Sequence, residues 1–497
     1  MRKSQEEQKK LGEIDICKIE IDLRCRDEMP RILLGLQHLY CTPEIREEVF
    51  KILEEMIPKG TDPDNGRPGM DLWKILVLGC VKLNCNWDYD KLHDIVNNHK
   101  TLRKMLGHGL VDADYIYAYQ TIKDNISLFT PEILDRINQV VLKAGHRLIT
   151  GKKNEKNELK GKCDSFVVET DVHYPTDINL LFDAIRKVIS LISFLCIEVG
   201  ISGWRQSNHN LKTIRMLFRK AQKLKRSTSK DEEKKVKREV EIKEAHHAYI
   251  NVVESFLVRV SESISELYKI ESSPECKIVI IERYVGHARR QIDHIRRRVI
   301  EGEIIPHEEK LFSIFEPHTE WISKGKAGVP QELGLSVCVL EDQHRFILHH
   351  RVMEKETDDK VAVPMVLDCK KKFPNLKSCS FDKGFYTPAN KKKLKEILDL
   401  LILPKKGKLS QKDKEEEYSE EFIHERNKHS AVESAINGIE NHGLDKCRDH
   451  GIDGFKRYVG LSVLARNIET LGNIIQKKKL KSLQRRERLR LKLCKAA

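Results

Sequence analysis

The sequence predicts a mixed α/β protein, in which a sheet with flanking helices is interrupted by a long helical insertion and preceded by an all-helical N-terminal domain. Three observations predict it. Short apolar runs bounded by turn residues recur at 165–171, 333–340, 345–352, 376–382 and 400–403, the length and composition of strands. Between the first and second of these, from about Ile178 to Glu316, the chain is highly charged and has a helical period. Everything before about residue 155 also reads as helix.

In the N-terminal part, Pro43–Leu53 has a helical apolar period behind Thr42, a residue type that caps helices. A turn-rich stretch, 58–69, contains three prolines and three glycines. A strongly apolar helix follows over 71–81, with further helices near Tyr89–Asn97 and Pro131–Gly145. Residues 151–157 form a polar linker. The first strand then ends at Asp171. Thr176 or Asp177 starts the insertion, whose segments 210–225 and 231–268 read as antiparallel arms joined at Ser227-Thr228-Ser229. Strands over 333–340 and 345–352 are joined by a hairpin turn at 341–344. A helix at 360–373 leads to the strand ending at Asp382. Then come a helix at 388–398, a strand at 400–403, a charged loop at 405–416, a helix around Glu433 and a last apolar helix at about 454–475. The resulting domains are 1–155, a split sheet domain of 160–177 with 328–475, an insertion of 178–327, and a basic tail of 476–497.

A chain of 497 residues has ample core for several domains. Its 90 Lys+Arg exceed 76 Asp+Glu, for a net charge of +14. The excess clusters at 477–495, where Glu487 is the one acid, and such blocks bind polyanions or remain solvated. Thirteen scattered cysteines form no C-x-x-C pair, which argues for a reducing cytoplasm. The N-terminus carries no apolar signal segment, and no uncharged run suits a membrane span.

Asp171 and Asp382 end strands, and Glu433 lies in a helix. Two strand-end aspartates and one helix-borne glutamate can hold a pair of Mg²⁺ ions, which prefer hard oxygen ligands; Mn²⁺ can substitute. In this reading Asp171 bridges both ions, Asp382 holds one and Glu433 the other. Asp164, Asp177, Glu425 and Glu440 are the competing acids nearby. On a basic chain the natural phosphoryl substrate is nucleic acid. Lys383, Arg426, Lys428, His429, Lys446 and Arg448 flank the carboxylates, and Lys324 and Lys326 lie in a Gly-rich loop that lets backbone approach a phosphate. Trp204 and Trp321, in the insertion, read as core residues, with stacking on a displaced base as the functional alternative.

The same segments carry a resemblance. Thr170-Asp171-Val172-His173-Tyr174-Pro175-Thr176-Asp177 resembles the first catalytic block of insertion-sequence DDE transposases, of the loosely classified ISNCY type. Phe381-Asp382-Lys383-Gly384-Phe385-Tyr386 is similar to the second block. His429 to Asn437 with Asn441-His442-Gly443-Leu444-Asp445 is similar to the third. Residues 454–467 resemble the closing helix, 323–330 the basic approach to the second strand, and 66–68 with the helix behind them the N-terminal helical domain. The resemblance implies an RNase H-like catalytic domain and bacterial, nucleoid-associated work in the cytoplasm. It implies Mg²⁺-dependent cleavage at the terminal inverted repeats of a transposon, then attack of the freed 3′-hydroxyl on double-stranded target DNA. A homodimer on DNA is implied by the need to bring two ends together. Several relatives place Tyr, Arg and Lys around the catalytic Glu, where this chain has Arg426, His429 and Glu440. A retired transposase acting as a DNA-binding regulator, and a stand-alone nuclease of the same fold, are the alternatives.

Overall fold

The computed structural model describes residues 3–4, 13–57, 69–109, 114–150, 158–270, 275–323 and 331–496. The chain divides into two compact units, 1–171 with 322–497 and 172–321.

Helices open the first unit: α1 (Glu28–Cys41), α2 (Pro43–Glu54), α3 (Leu72–Asn84), α4 (Tyr89–Asn98), α5 (Lys100–Met105), α6 (Tyr119–Ile126) and α7 (Pro131–Thr150). Pro43 begins α2, where its missing N–H has no helical partner to lose. Asp88 caps α4 by accepting from the Lys91 amide. α3 is apolar on almost every side and is buried nearly throughout. α2, α3, α4 and α7 fall where the apolar periods predict them. Of the expected turn-rich stretch 58–69 all but the last residue lies outside the described residues, as does the linker at 151–157. Cys17 and Cys41 are joined by a disulfide, against the reading of a fully reduced set.

Strand β1 (Leu159–Thr170) follows. The second unit then runs through α8 (Asp177–Val199), α9 (Ser207–Lys223), α10 (Glu232–Leu267) and α11 (Glu275–Ile295). Thr176 accepts from the Asn179 amide at the start of α8, and Gly200 ends it at φ +80°, where a side chain would be strained. This unit has its own core, built from residues such as Ile185, Ile189, Tyr249, Val253, Ile281 and Ala288. Trp204 is part of it and donates to the Ser263 hydroxyl at 2.9 Å.

The chain returns through β2 (Glu320–Ser323), β3 (Gln331–Glu341) and β4 (Ile347–Met353), then α12 (Asp358–Lys372), β5 (Leu376–Phe381), α13 (Pro388–Ile397) and β6 (Leu400–Ile402). It ends with α14 (Gln411–Glu417), α15 (Glu420–His429), α16 (Ala431–Ile439), the two-residue β7 (Lys446–Cys447) and α17 (Gly451–Ala496). β3 lies antiparallel between β1 and β4, while β5 is parallel to β1 and β6 parallel to β5. The sheet is therefore mixed, with β1 near its centre. Asp342 makes the β3–β4 turn by accepting from the amides of His344 and Phe346.

Three local expectations give way. The charged loop at 405–416 contains α14, which Ser410 and Asp413 start with a capping box. The helix around Glu433 is two helices broken at Ser430. The basic tail is no separate segment: α17 runs 46 residues through it, because no Gly or Pro stops a run of good helix formers after Ile475.

The N-terminal helices are not a unit of their own. One apolar core joins them to the sheet, with α1, α3 and α7 all packed on α17. A buried amide chain pins the join: Asn467 donates to Asn138 of α7 at 2.7 Å and accepts from the Ile347 amide of β4 at 2.9 Å. Where α1 crosses α17, a Cβ on Gly35 would overlap the Ile468 carbonyl, and one on Gly472 the Arg31 carbonyl.

Candidate active site

The pairing of β1 places the carboxylates. Its first half pairs with β5 as far as Cys163 with Phe381. Its last two residues pair with β7, Glu169 with Lys446 and Thr170 with Cys447. Between them, among the described residues, no strand covers that edge of β1 at 164–168. One step past the last β5 pair stand Asp164 on β1 and Asp382 just beyond β5, on neighbouring strands that run about 4.8 Å apart. The α15–α16 pair lies beside this gap, α15 against β5 and β6 and α16 against β1, and α16 carries Glu433.

Asp164 is half-buried and shows what surrounds it. Burial pushes its carboxyl up to about 6, the Ser165 amide opposes this, and the negative charges of Asp382, Asp358 and Glu433 push it further. Asp358, the first residue of α12, accepts from the Ser165 hydroxyl at 2.6 Å and is itself raised, by burial and then by Asp382. A Cβ on Gly384 would come within 2.9 Å of an Asp358 carboxylate oxygen, so the turn after Asp382 closes onto this group. Four carboxylates thus share one electrostatic neighbourhood. Among the described residues no three His, Cys, Asp or Glu side chains converge tightly enough to ligate one ion as they stand.

His429, at the end of α15, faces the same cluster. Its Nδ1 is 2.9 Å from the Ser380 hydroxyl, and its Nε2 is buried without a partner. Burial lowers its pKa, Asp382 and Glu433 oppose that, and Lys162 adds to it. Neutral imidazole is therefore the favoured form near pH 7.

Asp171 is not in this cluster. It follows β1 seven residues beyond Asp164, roughly 23 Å along an extended strand. There it pairs with Lys446 at 2.6 Å and is 60% exposed. The expectation that Asp171 joins Asp382 and Glu433 is corrected: Asp164 takes that place. The physical reason is unequal strand length, since β1 has 12 residues and β5 six, so β5 ends level with the middle of β1. Lys446 accordingly sits with Asp171 rather than with the carboxylate cluster. Arg448, next along, donates to the Asn86 side chain at 3.2 Å.

Of the other expected contacts, Lys383 is exposed in the turn after Asp382, and Arg426 is exposed on α15. Lys428 pairs with Glu425 at 2.9 Å. Lys324 and Lys326 lie outside the described residues. Among the competing acids, Asp177 begins α8 and pairs with Arg298 at 2.6 Å, and Glu440 lies in the π-helical turn after α16. Asp358 was not anticipated. An acidic residue at a helix start is ordinary dipole chemistry, so its sequence signal is indistinguishable from that of Asp359 beside it.

No protein-family model matches the chain, and neither a curated protein nor a solved structure matches it. What fold and site define on their own is a carboxylate cluster in a mixed sheet, at an edge gap just past the carboxyl end of β5.

Proposed function

We propose that the chain is a DNA transposase of the DDE type, with an RNase H-like catalytic domain in which Asp164, Asp382 and Glu433 are the three essential carboxylates. The observation that carries this reading is the register of β1 against β5, which sets an aspartate from each strand side by side in the edge gap beside α16. The strand directions support it as well, since ligands in such sheets gather beyond the carboxyl ends of parallel strands.

The donor set suits Mg²⁺ or Mn²⁺. The site offers hard oxygens, and Asp164 is held at a raised proton affinity by burial and by its acidic neighbours, a strain that a divalent cation relieves. Asp164, Asp382 and Glu433 would hold the metal, with Asp358 steadied behind them by Ser165. When bound, the metal lowers the pKa of an attacking water or hydroxyl and stabilises the leaving oxygen. The chain's own residues do the rest. Ser380 holds His429 through its Nδ1 beside the carboxylates. Lys383 and Arg426, both exposed, counter backbone charge on either side. The net charge of +14 serves the same end over the whole surface.

The test is metal-dependent nicking of DNA carrying the element's terminal repeats. Asp164→Asn is expected to lower cleavage at least ~100-fold while DNA binding persists, and Asp171→Asn to cleave like the parent. Normal cleavage by Asp164→Asn overturns the assignment. The products separate the other classes: free ends without joining mean a nuclease, and binding without any product means a regulator.

A further inference from the structure

The face of the sheet that carries Asp164 and Asp382 is polar for two more rows. Lys162 pairs with Ser380, and Lys160 with Ser378, so these four side chains share the face of the two aspartates. Such a row is unusual under a covering helix pair, where apolar residues ordinarily lie. It borders a cavity of about 330 Å³ between β1, β5, β6 and the α15–α16 pair. Leu400 and Ile402 of β6 extend the same face as an apolar row beside Ser378 and Ser380, and Ala431 of α16 also lines the cavity. Glu425 spans the mouth, pairing with Lys160 at 3.3 Å and Lys428 at 2.9 Å. The Gln343 amide closes the far end by bonding the backbone of Lys160 and Glu158.

Two groups in the cavity lack a close polar partner, although Lys162 stands opposite Glu341 in the β1–β3 pair and acts on it electrostatically. Among the described residues Lys162 makes no ion pair and the Ser378 hydroxyl no hydrogen bond. Lys162 stands one row from the carboxylates and is close enough to act electrostatically on His429. The cavity therefore offers a cation nearest the carboxylates, a hydroxyl deeper in, and an apolar row beside that hydroxyl. Its volume is that of a small-ligand site. A flat, hydrogen-bonding ring with an anionic group at one end matches this arrangement.

We propose that this cleft holds one deoxynucleotide of the DNA strand being processed, its phosphate on Lys162 and its base lying over the Ser378–Leu400 row beside Ala431. The assignment rests on the reading of the neighbouring carboxylates as a phosphodiester-cleaving site. Taking up a nucleotide here draws it out of the duplex stack, which fixes the adjoining phosphate beside Asp164 and Asp382.

Calorimetric titration of the full chain decides it, using a 5′-deoxynucleoside monophosphate in one arm and inorganic phosphate in the other. Chelator is present, and salt is high enough to suppress binding by the basic C-terminal helix. The nucleotide is expected to bind at least tenfold more tightly than phosphate. Ala431→Phe, which fills the cleft, and Lys162→Met should each weaken the nucleotide tenfold or more without changing the melting temperature. Asp164→Asn should bind it like the parent while losing cleavage. No nucleotide binding up to millimolar concentration, equal binding of phosphate, or parental binding by a folded Ala431→Phe protein overturns the cleft assignment. Retained cleavage by Asp164→Asn instead overturns the catalytic reading, so the two failures are distinct.

Discussion

Glu341 ends β3 opposite Lys162, almost fully buried, with one carboxylate oxygen lacking any hydrogen-bond partner. Burial pushes its pKa up to about 7 from an ordinary 4.5, Lys162 opposing and Asp342 reinforcing the shift. The native state thus keeps a proton that the unfolded chain releases between pH 4.5 and 7. Stability contributed by this group falls as pH rises through that window, and the loss is complete above it. Glu341→Gln is expected to stabilise the protein by on the order of 2 kcal/mol at pH 8 and to be near neutral at pH 4.5. Urea melts at the two pH values check this, and an equal effect at both would contradict it. Asp164 was legible in the sequence only as one of several acids near a strand. Deciding between it and Asp171 requires strand register, and nothing local to Ser165–Asp171 reports that the partner strand stops after six residues.

The crossing of α1 and α17 depends on backbone approach at Gly35 and Gly472. In an exposed helix Gly→Ala stabilises by about 1 kcal/mol, but here the added methyl meets a carbonyl on the facing helix. Gly35→Ala is expected to destabilise by about 1–3 kcal/mol, read as a lowered thermal midpoint; a raised midpoint would show that the helices stand apart. The far end of α17 behaves differently. From Lys481 to Arg490 every side chain is exposed, and half are basic. Truncation after Ile475 is expected to leave folding intact but to flatten the dependence of DNA affinity on salt, by roughly one unit of log–log slope per lost phosphate contact. An unchanged slope would mean that this helix stays in water. Helices with strong apolar periods, such as α3 and α7, were legible because the signal lies within each segment. The basic extension of α17 was not, since it has no buried face to announce it.

Residues 172–321 form a helical unit with a core of their own. That span, expressed alone, is expected to be helical by circular dichroism and to unfold cooperatively in urea; a sloping, non-cooperative loss of signal would contradict its independence. The alternation of strands and helices along the chain made a mixed sheet with a helical interruption readable from the sequence. The merging of the N-terminal helices with the sheet was not, because it rests on contacts between distant residues such as Asn138, Ile347 and Asn467. No helix among the described residues is long and apolar enough to cross a membrane.

The proposed metal lies among acids drawn from three distant segments, so its position can be read along the chain. Replacing Mg²⁺ by Fe²⁺ and generating hydroxyl radicals at the bound ion cuts the backbone where the ion lies. Fragments are expected to end near residues 164, 382 and 433 and to be lost in Asp164→Asn. Cuts clustered near residue 171, or persisting unchanged in that variant, would contradict this placement.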